Sequence, residues 1–211
     1  MSDRSEIARL HEKVERLRAI IDTSAILTSS LDLDEVLHLV LEKAQAVANA
    51  EASSILLYNP ATSRLEFEVS LGEKGGLIQS LRPKITLALG QGIAGTVAKT
   101  RRVEWVPDAA RDPRVARNVD AMTGFVTKNL LCGPLVIQDR LVGVAEVMNL
   151  AHPERCGPDE MDIFAAFCQQ VAVAIENARL HSILMDRERE KQQLEFAAVV
   201  QQSFLPANFP T

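Results

Sequence analysis

The chain has 211 residues, of which 47% are hydrophobic and 24% are charged, and its formal net charge at pH 7 is -5. This length suffices for one sizeable core with helical extensions or for two small domains. Because an acidic surface repels nucleic-acid phosphates and anionic lipid headgroups, we expect no nucleic-acid partner and no membrane insertion.

The sequence also indicates the compartment. The N-terminus lacks the basic-then-apolar order of a secretory signal, and no stretch of about 18 apolar residues occurs. Cys132, Cys156 and Cys168 form neither a CxxC motif nor a paired Cys/His pattern, so we interpret them as reduced core thiols. We therefore expect the protein to be cytoplasmic.

Residues 1–30 have the apolar pattern of a coiled-coil helix. Apolar residues recur at alternating spacings of three and four, at Ile7, Leu10, Val14, Leu17 and Ile21. A stripe of this kind needs a partner helix, and we predict an N-terminal coiled coil. The mixed charges between the apolar positions suit the flanks of a helical pair and suit a solvated face equally well.

A second helix is predicted over residues 33–48. Asp32 is placed to cap its first turn, and Glu35 stands at the third helical position, as in a capping box. The apolar residues of this helix share one face, at Val36, Leu37, Val40, Leu41 and Ala44. We expect that face to pack on a sheet.

The period of the pattern then changes from 3.6 to 2. An apolar run over residues 53–58 and an alternating run over residues 65–69 flank the turn sequence Asn59-Pro60-Ala61-Thr62, which predicts a β-hairpin. Three short elements follow: a strand over residues 85–87, a helix over residues 93–99 and a strand over residues 103–106. The glycines around this helix have neither the dinucleotide-binding nor the P-loop spacing, so no phosphate site is predicted.

The longest connection without a sustained period covers residues 107–128. It is rich in Asp, Arg and small residues, and it also carries Val115, Val119, Met122 and Phe125. Long connections inside a compact domain are usually functional or disordered. We predict that this one folds back over the sheet as the lid of a pocket.

A second hairpin is predicted from two apolar segments, residues 129–137 and 140–149, which flank the pair Gln138-Asp139. Their apolar character indicates that both strands lie centrally in a sheet. After Arg140 at its start, Glu146 is the one charge in the second strand, and we interpret it as an exposed or hydrogen-bonded position.

One long helix is predicted over residues 157–198. Gly157 suits the N-cap, Pro158 the first helical position, and Asp159 and Glu160 complement the helix dipole. An apolar stripe runs along one face, at Met161, Phe164, Cys168, Val171, Ile175 and Ala178. The same register continues as a seam with a polar middle, at Ser182, Met185, Arg189, Gln192, Phe196 and Val199. Because the helix is longer than one small domain can cover, we expect it to pair with another helix.

Residues 32–180 resemble a GAF domain. The resemblance rests on four segments in this order: GQGIAGTVAKTRR, VPDAARDPR, NLLCGPLVIQDRLVGVAEVMN and FCQQVAVAIENARL. It implies an α+β, PAS-like fold: a six-stranded antiparallel sheet with helices on one face, flanked here by N- and C-terminal coiled-coil helices. It also implies a small-molecule pocket under irregular segments on the other face.

The resemblance indicates where a ligand would bind. Five apolar residues lie on segments that the family places around its cavity, and we expect them to line an apolar pocket: Leu56, Ile93, Trp105, Met122 and Phe125. The cyclic-nucleotide-binding members carry an Asn-Lys pair, a later Phe and an Asp-Glu pair. Here Leu150 replaces that Lys after Asn149, Cys156 stands in place of the Phe, and the acidic pair becomes Glu160-Met161. Cyclic-nucleotide binding is therefore not expected, and the identity of the ligand stays open.

No catalytic or metal site is predicted in this chain. The histidines are scattered along the sequence, and neither a Ser/His/Asp arrangement nor an HExxH motif occurs. We therefore expect no enzyme activity and no cofactor here.

The last residues resemble the segment that introduces the catalytic domain of bacterial PP2C-type serine/threonine phosphatases of the sporulation and stress-response class. In this chain the segment reads Gln201-Gln202-Ser203-Phe204-Leu205-Pro206. That catalytic domain holds two divalent metals, Mn or Mg, with spaced aspartates, and we expect it to follow residue 211.

The predicted organisation has four parts: an N-terminal coiled-coil helix (1–30), a GAF sensor domain (31–180), a C-terminal signalling helix (181–200) and the start of a linker (201–211). We expect a bacterial homodimer, joined through its terminal helices, in which an unknown small molecule controls a C-terminal phosphatase domain. Two alternatives stay open: a purely structural dimerisation module, and a sensor for another output such as a histidine kinase or a cyclase.

Overall fold

The computed structural model describes residues 32–73, 85–115 and 117–204. The predicted N-terminal coiled coil lies outside these residues, as does the end of the phosphatase-like segment. In chain order, the described elements are α1 (Leu33–Ala48), β1 (Ala50–Asn59), β2 (Arg64–Leu71), β3 (Thr86–Ala88), α2 (Gly92–Thr100), β4 (Glu104–Val106), α3 (Arg117–Thr123), β5 (Leu130–Ile137), β6 (Arg140–Leu150), a 3-10 turn (Pro153–Arg155) and α4 (Pro158–Phe204).

Helix α1 begins and ends where its sequence predicts. The Asp32 carboxylate accepts hydrogen bonds from the backbone N–H groups of Asp34 at 2.9 Å and Glu35 at 3.2 Å, so the first turn is capped. Asn49 ends the helix in the left-handed conformation, with φ of 47°. The five apolar residues predicted to share one face are all buried.

The sheet has six antiparallel strands in the order β3-β2-β1-β6-β5-β4. The predicted six-stranded α+β architecture is therefore confirmed. Each hairpin supplies two neighbouring strands, and the pairing of β1 with β6 joins the two hairpins at the centre. This pairing sets Ser54 opposite Glu146, and Glu146 is in turn opposite Cys132 on β5.

The two longest helices cover one face of the sheet. Residues of α1 and α4 form one buried core with the side chains on that face, such as Ile55 and Val147. The short helix α2 packs on the opposite face, where Ile93 and Val97 join Leu56 and Val144 in a second core. The prediction that helices cover one face of the sheet therefore holds for α1 and α4. Helix α2 packs on the opposite face, which also carries the candidate site.

Residues 107–128 are less irregular than predicted, because they contain α3. This helix has seven residues, and two turns are too few to establish a 3.6-residue period in the sequence. Its residue Asp120 accepts hydrogen bonds from the backbone N–H of Thr127 at 3.1 Å and from its hydroxyl at 2.9 Å. The helix is thus held by side-chain contacts that have no periodic signature.

Helix α4 runs for 47 residues, from Pro158 to Phe204, and so extends six residues past its predicted end. Its predicted apolar stripe is buried against the sheet from Phe164 to Ala178. The residues predicted as the seam lie on the same side of the helix as this stripe, and from Ser182 to Phe196 they are exposed to solvent. In contrast, Leu180 and Leu184 lie off this line and are 50% and 62% exposed. None of the helices described here is both long enough and apolar enough to cross a membrane.

Candidate functional site

A cavity of about 70 Å³ lies on the sheet face opposite α1 and α4. Its floor is formed by β1, β2, β5 and β6, one side by the start of α2, and its cover by residues 107–128, which we call the roof. Most of the lining is apolar, including Phe67, Leu87, Ile93, Val115, Phe125 and Met148. This arrangement matches a typical small-molecule site, in which apolar walls surround a few fixed polar groups.

The polar centre of the floor is Glu146. The hydroxyl of Ser54 donates to its Oε2 at 2.8 Å, and the thiol of Cys132 donates weakly to its Oε1 at 3.9 Å. Glu146 is 8% exposed. Burial raises the pKa of this carboxyl above its ordinary value, and the two hydrogen bonds oppose the rise only in part. Burial and the neighbouring Glu146 also raise the pKa of Cys132, so this thiol is not an activated nucleophile.

The first half of the roof is attached to β4 through Arg114. Its guanidinium donates to both carboxylate oxygens of Asp112, at 3.1 and 2.8 Å, and to Glu104 at 2.7 Å. The bond from Arg114 lowers the pKa of Asp112, and Asp112 and Glu104 together raise the pKa of Arg114. The Asp-Pro-Arg sequence is therefore a structural anchor and not a ligand-contacting group.

The second half of the roof is attached to β6 and β1 through Asn149. Its side-chain oxygen accepts from the backbone N–H of Lys128 at 2.7 Å, and its amide donates to the carbonyl of Val126 at 2.9 Å and to Glu51 at 2.7 Å. Lys128 also forms an ion pair with Glu51 at 3.1 Å. The hydrogen bond from Asn149, more than the one from Lys128, lowers the pKa of Glu51. Asn149 thus joins three segments at the edge of the cavity.

The structure brings together two of the five predicted site residues. Ile93 and Phe125 line the cavity, whereas Leu56 lies on the same face within the second core and is not part of the lining. Trp105 lies on the opposite face, packed against the first core, because it pairs with Leu131 and not with Cys132. Met122 lies in α3, and its side chain is outside the part of the chain that the structure describes.

The polar residues of the cavity were not predicted as site residues. Ser54, Asp120 and Glu146 all line it. One signal was available in the sequence, since Glu146 is the one acidic residue of β6 and lies between apolar neighbours. Its partner Ser54 is 92 positions away along the chain, so only the pairing of β1 with β6 reveals the contact.

A second cavity, of about 100 Å³, lies between the end of α1 and the start of α4. The positions compared with cyclic-nucleotide-binding members, Leu150, Cys156 and Glu160, line this cavity instead of the first one. Burial, with a smaller contribution from Glu160, raises the pKa of Cys156 to about 11. Among the described residues, no group of three or more His, Cys, Asp or Glu side chains is arranged to hold a metal ion.

Curated proteins similar to this chain include cyclic-nucleotide phosphodiesterases. A probable 3',5'-cyclic phosphodiesterase of Caenorhabditis elegans is 28% identical over 196 residues, which is 87% of this chain and 26% of that protein. The dual 3',5'-cyclic-AMP and -GMP phosphodiesterase 11 of Drosophila melanogaster is 27% identical over 207 residues, covering 91% of this chain and 13% of that protein. The chain thus spans about a quarter or less of the length of these relatives.

Solved structures with this fold come from several bacterial proteins. The GAF domain of a phosphoenolpyruvate-protein phosphotransferase from Coxiella burnetii has a TM-score of 0.69 at 17% identity, covering 81% of this chain and 98% of that one. Residues 122 to 287 of a methyl-accepting chemotaxis protein give a TM-score of 0.60 at 25% identity, covering 75% and 97%. The family model of the GAF domain matches residues 32–175, which contain the whole sheet, the roof and the first turns of α4. The chain therefore belongs to the GAF domain family of sensory and regulatory domains.

Proposed function

We propose that this chain is a ligand-responsive regulatory module, which binds a small molecule under the roof and passes its occupancy through α4 to a catalytic domain beyond residue 206. One observation carries the proposal: the cavity and α4 lie on opposite faces of the same strands. A single layer of sheet therefore separates the site from the helix that leaves the domain.

The sheet and α4 are closely packed at β5. Cys132 bonds to Glu146 at the cavity floor, and the next residue, Gly133, faces α4. A Cβ atom at Gly133 would lie 2.5 Å from the Sγ atom of Cys168 and 2.9 Å from the ring of Phe164. Because close-packed interiors transmit displacement and do not absorb it, a ligand that moves β5 also moves α4.

We propose further that α4 pairs with α4 of a second copy along its outward face. The sheet-facing stripe is used inside the domain as far as Ala178, and the large apolar residues that follow, Leu180 and Leu184, are exposed on the other side of the helix, so we place the pairing residues there. Spacings of three and four connect Asn177, Leu180, Leu184, Arg187, Lys191 and Leu194 on that side. The apolar stripe is interrupted at Arg187 and Lys191, where a helix pair would be packed least firmly. The N-terminal helix is proposed to join the same bundle.

The proposed output is a PP2C-type serine/threonine phosphatase. Its support is the Gln201-Gln202-Ser203-Phe204-Leu205-Pro206 segment, which α4 carries away from the domain as far as Phe204. Mn²⁺ or Mg²⁺ would then be bound by aspartates of the phosphatase domain. A second candidate output is a cyclic-nucleotide phosphodiesterase, which the names of the curated relatives favour.

The test uses the longer protein that contains this chain. Hydrolysis of p-nitrophenyl phosphate with Mn²⁺ is measured beside hydrolysis of cyclic GMP, first for the unmodified protein. The same assays follow for Arg187→Leu with Lys191→Leu, which completes the outward stripe. The matched control, Arg189→Leu with Gln192→Leu, adds apolar groups on the sheet-facing line.

We expect the unmodified protein to have phosphatase activity. Arg187→Leu with Lys191→Leu should change this activity several-fold, and the control pair should leave it unaltered. Hydrolysis of cyclic GMP without phosphatase activity would show that the output domain is a phosphodiesterase and not a phosphatase. Equal effects of the two pairs, or none from either, would reduce α4 to a passive connection between domains.

A further inference from the structure

We infer that the cavity under the roof accepts a small organic cation, with an alkylammonium head on a short apolar body and Glu146 as its counter-ion. This inference rests on the proposed ligand-binding function and adds the chemical class of the ligand. It is drawn from the charge, the size and the hydrogen bonding of the cavity.

The charged groups that line the cavity are all acidic. Glu146 lies in its floor and Asp120 in its roof, and none of the described lining residues is Lys, Arg or His. Arg114 is held in the roof, but its guanidinium is bound to Asp112 and Glu104. An anionic ligand would meet two carboxyl groups without a cationic partner, and its own desolvation would not be compensated.

The volume and the walls limit the body of the ligand. Roughly 150 Å³ of apolar cavity holds a molecule as large as benzene, so about 70 Å³ suits a body of some three to five heavy atoms. Phe67, Phe125 and Met148 supply apolar surface for such a body. The hydroxyls of Ser54 and Ser70 already donate, to Glu146 and to the carbonyl of Ser53 respectively.

Glu146 distinguishes a cation from a neutral ligand. Oε2 accepts from the Ser54 hydroxyl, while Oε1 has only the weak thiol donor of Cys132. An ammonium N–H donating to this carboxylate would form a charge-assisted hydrogen bond, which is about twice as strong as one between neutral groups. The ion pair would also offset part of the cost of burying the carboxylate, since the ammonium ion attracts it at close range.

Binding of a cation at this site is coupled to a proton. In the empty cavity, burial favours the protonated form of Glu146, and the facing groups are Ser54 on β1, Cys132 on β5 and Asp120 in the roof; Glu104 on β4 lies beyond Cys132. An arriving ammonium ion stabilises the carboxylate, so the carboxyl proton is released to solvent. Affinity for the cation therefore rises with pH, and the rise ends once the pH exceeds the pKa that Glu146 has in the empty site.

The experiment compares three probes of similar size on the full 211-residue chain: propylammonium, 1-propanol and propionate. Binding is followed through the methyl resonances of Ile93 and Met148 in ¹H–¹³C spectra, across a range of pH. The variants are Glu146→Gln, which keeps the shape but not the charge, and Asp139→Asn, which removes an exposed acid from the β5–β6 turn of the same hairpin. Thermal unfolding confirms that both variants are folded.

We expect propylammonium to bind more tightly than 1-propanol and propionate, with an affinity that increases with pH. The Glu146→Gln variant loses about tenfold of that affinity and its pH dependence, whereas its affinity for 1-propanol is retained. Equal or tighter binding of 1-propanol or propionate would overturn the cation assignment and leave the pocket itself as a ligand site. Equal loss in Asp139→Asn would also overturn it, because the effect would then come from overall charge. Absence of binding by all three probes would count against the ligand-binding function as well.

Discussion

The substitution Gly133→Ala tests how closely α4 is packed on the sheet. The added carbon would lie 2.5 Å from Sγ of Cys168 and 2.9 Å from a ring carbon of Phe164, whereas carbon atoms in a packed core are separated by about 3.5–4.0 Å. Cys168 and Phe164 are both buried in the core between α4 and the sheet, so neither can move into solvent. Overpacking of this kind costs about 1–3 kcal/mol.

The free energy of unfolding is measured by urea denaturation of the 211-residue chain, followed by circular dichroism. We expect the midpoint to fall by the equivalent of about 1–3 kcal/mol, with little change in the slope. The control is Gly157→Ala, whose added carbon meets nothing closer than a carboxylate oxygen of Glu160 at 3.5 Å. Because Ala is less favourable than Gly at a helix N-cap, we expect a loss of about 0.5–1 kcal/mol there without any steric clash, which is smaller than the loss for Gly133→Ala.

A double variant decides whether the steric contact causes the loss. Cys168→Ala removes the sulfur atom that the new methyl group would meet, and the two changes should therefore couple by about 0.5–3 kcal/mol. We expect Gly133→Ala with Cys168→Ala to be more stable than the sum of the two single effects predicts. Strict additivity, or a Gly133→Ala variant as stable as the unmodified chain, would refute the close packing and remove the basis for coupling the cavity to α4.

Three further predictions concern the helix, the buried acid and the roof. Leu180→Lys with Leu184→Lys should convert a dimer to a monomer in sedimentation velocity, whereas a monomeric unmodified chain would contradict the proposed pairing. Because the pKa of Glu146 is raised on folding, the contribution of this carboxyl to stability is fully present below its unfolded value near 4.5 and is lost as pH rises through the folded pKa. Glu146→Gln should therefore gain stability relative to the unmodified chain as pH rises above the unfolded value near 4.5, and a difference that does not change with pH would disprove the shift. Arg114→Lys should lose the two-oxygen contact with Asp112 at a cost of about 0.2–1 kcal/mol, with faster amide exchange confined to residues 107–115; unchanged exchange would exclude the anchor role.

The long elements were predictable from the sequence because local signals and burial agree in them. In α1, the Asp32 cap and the spacing of apolar residues both indicate the helix that is observed. The two hairpins were equally clear, since each turn sequence lies between two short runs that are either continuously apolar or alternating. The start of α4 at Pro158 was also marked by its own residues.

The cavity was only partly predictable because it depends on register between distant strands. Trp105 was expected at the pocket, yet pairing with Leu131 turns it towards α1 and α4. Glu146 is the one acidic residue of its strand, but its environment is defined by Ser54 and Cys132 from two other strands. Which side of α4 pairs beyond Ala178 stays a prediction, because both the continued stripe and the line through Leu180 and Leu184 are available for pairing.

The length of α4 beyond the sheet gives it the geometry of a lever. The last residue of the buried stripe is Ala178 and the helix ends at Phe204, so at 1.5 Å per residue the free arm is about 39 Å long. A tilt of roughly 5° at the base displaces the tip of such an arm by about 3 Å. A movement of the β5 backbone that is too small to disturb the core can therefore become a displacement of about one atomic diameter at Phe204.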